Sequence, residues 1–469
     1  MVMVVDSLPG LKRFLTSLGL SDIARMMVSR MIVAFVMRSG RMSGVQAAGS
    51  VRSQSRHRAQ VGRFLGRKRW NGRQVNEPLQ QALLSMQTTV GIHVFILDAT
   101  LCSQQGQKTE NLYSTGNKKP RKKKRRRYGQ QKHSRRNVHS FTMGLLITPT
   151  GTRIPFQRAY KTREYCEAHE IKHQTTAESG AEMIRQLPVA DGTRVIVLGD
   201  TAYDAKVVQT ACAERGFTWI VPSNPERVLA GASPRPTVRS LIQDLKGKIQ
   251  DSKGKKIQDS KGKKSLRKVR FVPGQGPYAV YRRLSAQRVG SKAKPRTYYV
   301  HEESREVQSV GKVRLVFSTK EPKLTQVTPD HVKILMTNDS KLTLRDVIEL
   351  YSLRWQIELF FKELKSTMGF DQYRFQRFDC VESWAELALT AFLYLEWFRA
   401  RQLARRGLTE KDRAWWQSQR TFGLCQAIRQ ASQRAELSYV ADRLKTRGGI
   451  QKLKRLIDHS FPSEYRVAL

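Results

Sequence analysis

The sequence predicts an α/β protein. Its mixed-sheet core is interrupted by a β-rich insertion, preceded by an all-α N-terminal domain and followed by a helical C-terminal region. Three observations carry this prediction. The apolar runs Ile92–Leu97 and Arg194–Leu198 have the length and composition of buried strands, with helical periodicity between and after them. Residues 223–341 scatter short strand-like segments instead. Both ends of the chain repeat their apolar residues at helical spacing. The expected organisation is 1–88 as a helical N-terminal domain, 89–222 with 342–400 as the core, 223–341 as the insertion, and 401–469 as a helical C-terminal region.

In the N-terminal segment, Leu11, Phe14, Leu15 and Leu18 form one amphipathic set; Ile23, Met26, Met27, Ile32, Phe35 and Val36 form another. A short helix is expected over Ser43–Ala48. The segment 56–67 then sets Val61, Phe64 and Leu65 against Arg56, Arg58, Arg63 and Arg67. It reads equally as a recognition helix that packs on one side and faces phosphate on the other, or as a basic surface helix.

In the core, Ile92–Leu97 is a strand closed by Asp98. Phe141–Thr148 and Arg153–Phe156 are two strands about a Pro-Thr-Gly turn. Thr175–Leu187 is a helix, Arg194–Leu198 a strand ending at Gly199-Asp200, Tyr203–Arg215 a helix and Phe217–Val221 a strand. This β-β-β-α-β-α-β order is that of a ribonuclease-H-like fold. Strands expected in the insertion are Val269–Val272, Tyr278–Arg282, Thr297–His301, Val313–Ser318 and Val332–Thr337. Within it, Lys253–Ser260 repeats Lys246–Ser252 with one lysine added, a duplication in a basic loop. Trp384–Phe398 reads as a buried helix. Trp415, Trp416 and Phe422 mark the C-terminal region.

The charge balance points to the partner. The chain has 85 Lys and Arg against 39 Asp and Glu, a net charge of +46, and this calls for a polyanion, with nucleic acid as the default. Residues 1–140 hold 27 Lys or Arg and only five acids, so an aspartate closing an apolar strand there stands out. The run Lys118–Arg127, including Lys122, Lys123, Lys124, Arg125, Arg126 and Arg127, is nine-tenths basic. It reads as an exposed loop, either a nuclear-localisation signal or an arm for the DNA backbone. No apolar run reaches the ~20 residues that span a bilayer, and no signal peptide is visible. The five cysteines show no paired spacing, which argues against a zinc site and a disulfide framework and fits a reducing cytosol.

The most informative stretch is 351–365. At about 100° per residue, Tyr351, Arg354, Glu358 and Lys365 fall at roughly 0°, −60°, −20° and −40° on a helical wheel. Leu353, Trp355, Ile357, Leu359, Phe360 and Leu364 are placed to bury the rest of that helix. A carboxylate flanked by cations suggests a metal ligand beside a phosphate clamp; a solvated stripe is the plainer reading. Asp98 and Asp200 each close an apolar strand, where sites form at the carboxyl edge of a sheet, and Glu358 on a later helix is placed to join them. Three such carboxylates need a cation, and all-oxygen ligation selects Mg²⁺ or Mn²⁺.

The spacing Tyr351-x2-Arg354-x3-Glu358-x6-Lys365 resembles the signature of the insertion-sequence transposases of family four, a branch of the DDE (Asp-Asp-Glu) transposases. The resemblance covers roughly Gly91 to Arg399. It implies a ribonuclease-H-like core in which Asp98, Asp200 and Glu358 hold divalent metal. Tyr351, Arg354 and Lys365 would contact DNA near the scissile phosphate, with Thr100 and Tyr203 as supporting residues. It implies a protein that binds the terminal inverted repeats of its element, cleaves DNA and joins the 3′-hydroxyl ends to a target duplex. It favours the DNA-backbone arm for 118–127 and a prokaryotic, cytoplasmic, nucleoid-associated location. A homodimer in the synaptic complex is expected, without membrane or small-molecule cofactor. One departure is that no tryptophan lies between Ile220 and Arg354 to hold a flipped base, leaving Tyr298 or Tyr299 as substitutes. Two rivals remain: a nuclease of the same fold that cuts without joining, and a catalytically silent DNA-binding protein.

Overall fold

The computed structural model describes residues 8–16, 18–38, 58–66, 70–87, 90–104, 108–115, 136–230, 236–241, 267–282, 294–320, 331–446 and 448–451. In chain order the first half comprises α1 (Leu11–Thr16), α2 (Asp22–Met37), α3 (Arg58–Gly66), α4 (Gly72–Ser85), β1 (His93–Gln104), β2 (Tyr113–Thr115), β3 (Arg136–Ile147), β4 (Arg153–Ala159), α5 (Arg163–Ala168), α6 (Thr176–Arg185), β5 (Val195–Leu198), α7 (Lys206–Glu214) and β6 (Thr218–Pro222). There follow β7 (Arg267–Phe271), β8 (Arg296–Val307), β9 (Gly311–Thr319), β10 (Lys333–Thr337), α8 (Leu344–Tyr351), α9 (Trp355–Met368), α10 (Phe378–Leu403), α11 (Glu410–Ser418) and α12 (Thr421–Leu444).

Among the described residues these strands form one 10-stranded mixed sheet, ordered β2-β3-β1-β5-β6-β10-β9-β8-β7 with β4 beside β3. The predicted α/β class and strand order are found, with the short β2 and the helix α5 as additions. β1 pairs antiparallel with β3 and parallel with β5, and β5 pairs parallel with β6. Val94, Phe95, Ile96 and Leu97 are wholly buried, as a strand covered on both faces requires. A capping box between Thr175 and Glu178 starts α6. The predicted helix from Tyr203 instead opens with a 3-10 turn, Thr201–Tyr203, and α7 begins at Lys206.

The strands of the insertion extend the core sheet, because β10 pairs antiparallel with both β6 and β9. The strand expected at Tyr278–Arg282 is a 3-10 turn, Ala279–Tyr281. Gly274 and Gly276 turn the chain with positive φ just before it. Tyr278 then donates to Asp346 and Tyr281 to the Ile92 carbonyl, so both rings point inward where a strand would alternate.

The helical flanks close on α10, which is buried along Trp384–Phe398 apart from Glu386 and Trp397. Phe35 packs on Trp384 at 5.1 Å between ring centroids, and the Tyr394 hydroxyl donates to the Pro9 carbonyl at 3.0 Å. In α2, Met27, Ile32, Phe35 and Val36 are buried as expected, but Ile23 and Met26 are exposed. The buried face runs Ala24–Val28–Met31–Phe35, and Ile23 and Met26 lie off that stripe. Trp416 packs edge-on against Phe398, while Trp415 and Phe422 face solvent.

Candidate active site

β1 does not stop at Asp98. Its antiparallel ladder with β3 continues to Gln104, placing the aspartate within the strand. What ends nearby is the parallel pairing with β5, whose last partners are Ile96 and Leu198. Parallel neighbours advance in step, so the next inward step on each chain brings Asp98 and Asp200 to the same level, beyond the carboxyl end of β5. Asp200 there caps the 3-10 turn, its Oδ1 accepting from Ala202 N at 2.9 Å. Asp98 Oδ1 accepts from Ala99 N at 2.8 Å.

The stretch 351–365 is not one helix. α8 ends at Tyr351, Ser352–Arg354 forms a 3-10 turn, and α9 starts at Trp355. Ser352 explains the break: its hydroxyl donates to the Glu349 carbonyl and accepts from Arg282, competing with the regular helical ladder. Trp355 is 56% exposed, against the burial expected of it, because at about 100° per residue it lies on the side of α9 opposite Leu364; Leu353, Ile357, Phe360 and Leu364 are fully buried. Leu359 is half-buried.

The break sets Arg354 between two carboxylates. Its Nη1 donates to Asp98 Oδ2 at 3.0 Å and its Nη2 to Glu358 Oε1. Burial nevertheless pushes the Asp98 carboxyl up to about 6; the charges of Asp200 and Glu358 add to this, while the Ala99 N–H and Arg354 oppose it. Burial likewise pushes the Tyr351 hydroxyl up to about 12, with Arg354 opposing and the Asp200 and Asp98 charges adding. Lys365 Nζ donates to the Leu101 carbonyl at 2.7 Å, tying α9 to β1.

Two neighbours complete the cluster. The Lys333 ammonium of β10 lies 4.5 Å from the centroid of the Tyr351 ring, a cation–π contact. Strand periodicity gave no sign of this lysine; only the approach of β10 to α8 reveals it. Tyr203, whose pKa is raised by burial and by Asp98 and Asp200, is buried, and its hydroxyl has no hydrogen-bond partner among the described residues. Its side chain fills the space left by Gly199 and Gly180, where an added Cβ would come within 2.7 Å of the Tyr203 Cβ and 2.9 Å of its ring, respectively. Thr100 is buried in β1.

As the side chains stand, no three His, Cys, Asp or Glu among the described residues are close enough to hold a metal ion. The donor chemistry nevertheless suits a hard divalent cation. Asp98, Asp200 and Glu358 offer carboxylate oxygens only, and burial, with the charges of Asp200 and Glu358 adding to it, makes an unneutralised Asp98 carboxylate costly.

Of the expected DNA-contacting residues away from this site, Arg63 is exposed on α3 while Val61, Phe64 and Leu65 are buried beneath it. Arg58 opens the same helix. Arg56, Arg67, the run Lys118–Arg127, the Ser43–Ala48 segment and the duplicated 246–260 segment lie outside the described residues. Tyr298 and Tyr299 sit half-buried on β8, Tyr298 stacked on Phe271 at 6.0 Å. All five cysteines are buried and free, and no described helix is long and apolar enough to cross a membrane.

A mixed sheet with this strand order, carrying acidic residues beside its parallel strands and a later helix packed on β1, is that of a ribonuclease-H-like fold. The family model described as the transposase DDE domain matches residues 90–394, and the chain belongs to that family. It is therefore a DDE-type transposase, whose family acts on DNA. No curated protein matches it.

Proposed function

We propose that this chain is a transposase of the insertion-sequence family-four type. It binds the terminal inverted repeats of its own element, cleaves DNA at those ends and transfers the 3′-hydroxyl ends to a target duplex. The observation that carries the reading is the contact of Arg354 with both Asp98 and Glu358, in a cluster where Asp98 also senses the charge of Asp200.

In this reading Asp98, Asp200 and Glu358 are the catalytic carboxylates and the ligands of Mg²⁺ or Mn²⁺. When bound, the cation would activate the attacking oxygen and stabilise the leaving one. Arg354 offers a planar fork to a phosphate and Lys365 a point charge, with Tyr351 beside them. Lys333 adds a further cation to the same surface. Arg56, Arg58, Arg63 and Arg67, and the basic run Lys122–Arg127, bind DNA elsewhere. The functional units are 1–88 for end binding, 89–222 with 342–400 for catalysis, 223–341 as insertion and 401–469 for self-association. The working form is a homodimer bridging two ends in a prokaryotic cytoplasm, associated with the nucleoid.

The test is Asp200→Asn on a duplex carrying the element's own end. Binding persists and Mg²⁺-dependent cleavage is lost; undiminished cleavage removes Asp200 from the ligand set. A cut end incubated with a target plasmid separates transposase from simple nuclease, since only the former yields joined product.

A further inference from the structure

The helix that carries Glu358 is held from its opposite side by a buried network of charges. Five residues beyond Glu358, Glu363 points about 140° away around α9. Arg153 of β4 brings its Nη1 to 3.1 Å from Glu363 Oε2. Thr421, at the start of α12, donates to that same oxygen through its backbone N–H at 3.3 Å and its hydroxyl at 2.6 Å. Arg153 also lies 3.5 Å from Glu396 of α10, which pairs at 3.3 Å with Arg399. Arg399 returns to the turn before β4 by donating to the Gly151 carbonyl at 3.0 Å. Side-chain exposure is 4% at Arg153, 0% at Glu396 and 1% at Arg399.

A network this dry is a poor way to gain stability, because replacing buried ion pairs with apolar groups is often neutral or stabilising. What it supplies is direction. The apolar face of α9, through Ile357, Phe360 and Leu364, packs by contacts that have little directional preference. A planar guanidinium held between two carboxylates, Nη1 towards Glu363 and Nη2 towards Glu396, has a strong one. Burial opposes the charge of Arg153, but Glu363 and Glu396 outweigh it and raise its pKa, so the anchor holds its charge.

We propose that Arg153 and Glu363 are positioning residues for the reaction. They fix the rotation and height of α9, and through them the place of the Glu358 carboxylate relative to Asp98. The inference rests on the reading of Glu358 as a metal-binding carboxylate.

The test uses the full chain, a duplex carrying the element's end and a Mg²⁺ titration. In Arg153→Met/Glu363→Gln the glutamine keeps an acceptor for Thr421 and no charge is left unpaired in this pair. The variant binds the duplex as the wild type does, cleaves roughly 10- to 100-fold more slowly, and needs more Mg²⁺ for half its maximal rate. Amide exchange over 355–368, measured without metal or DNA, becomes faster. Arg153→Lys keeps the charge without the planar group that reaches both Glu363 and Glu396, and falls between the two. A rate reduced only in proportion to the folded fraction, with the Mg²⁺ midpoint unchanged, overturns the proposal. If the double variant does not fold, Thr421→Val removes one donor to Glu363 and is judged by the same two readouts. Glu358→Gln keeps the two claims apart. Wild-type cleavage by that variant defeats the ligand reading, whereas an inactive Glu358→Gln beside an unshifted Mg²⁺ midpoint defeats only the positioning role.

Discussion

Arg354 and Asp98 stand 256 positions apart in the chain and meet at 3.0 Å. The guanidinium also reaches Glu358, so one cation lies between two of the three candidate metal-binding carboxylates. Like charges gathered at a half-buried site repel unless a cation intervenes, and in the metal-free chain Arg354 fills that role. A divalent cation held by these carboxylates, as proposed, would compete with Arg354 for the same oxygens.

Arg354→Gln should weaken the metal-free protein and increase its response to metal. Both partners are partly solvated, so the expected loss is about 1–2 kcal/mol. Thermal melts in EDTA and in Mn²⁺ check this: the variant melts lower in EDTA and gains more from Mn²⁺ than the wild type. Equal gains in the two proteins would argue against competition.

Asp98 sets a pH dependence of known sign. Its folded pKa of about 6 lies above the ordinary carboxylate value, so the native state binds this proton more tightly than the unfolded chain does. The associated stability is complete below about pH 4 and is lost as pH rises to about 6. In EDTA at pH 7, Asp98→Asn should be more stable than wild type by about 2 kcal/mol, yet inactive in cleavage. Urea unfolding across that pH window is the measurement, and a wild-type pH slope retained in the variant would sink the assignment.

Tyr203 predicts a second gain from removing a polar group. Its buried hydroxyl lacks a partner among the described residues, and such a group costs about 1–3 kcal/mol. Tyr203→Phe should raise the melting temperature, and Gly199→Ala should lower it by forcing a Cβ against the same side chain. A lower melting temperature in Tyr203→Phe would mean that the hydroxyl has a native partner.

The basic run 118–127 should hold DNA without reading it. Replacing about six of its charges with glutamine flattens the slope of log K against log salt by about five units, if each meets a phosphate. Preference for the element's end over random duplex persists, because phosphate contacts position and base contacts specify. Salt titrations on both duplexes decide: an unchanged slope means that the run does not touch DNA, and a selective loss of end binding makes it a sequence reader.

The legible parts of this protein were those with local periodicity. Val94–Leu97 and Val195–Leu198 announced buried strands because both faces of the central sheet are covered, and α10 announced itself by its apolar length. The identities and spacing at Tyr351, Arg354, Glu358 and Lys365 needed no coordinates either. Other features depended on contacts between distant segments. β1 outruns Asp98 because β3 continues beside it, a ladder invisible in either strand alone. The helix at 351–365 breaks because Ser352 meets Arg282, 70 residues away. Lys333 reaches Tyr351 only through the placement of β10, and the charges on Arg153 and Glu363 find each other only inside the folded core. The sequence by itself determined which residue types are available for the chemistry and where buried strands and helices run, since helix and strand periods are local properties of the chain. Only the tertiary structure decided which of them touch, because strand register, side-chain pairing and burial are settled by the whole fold at once.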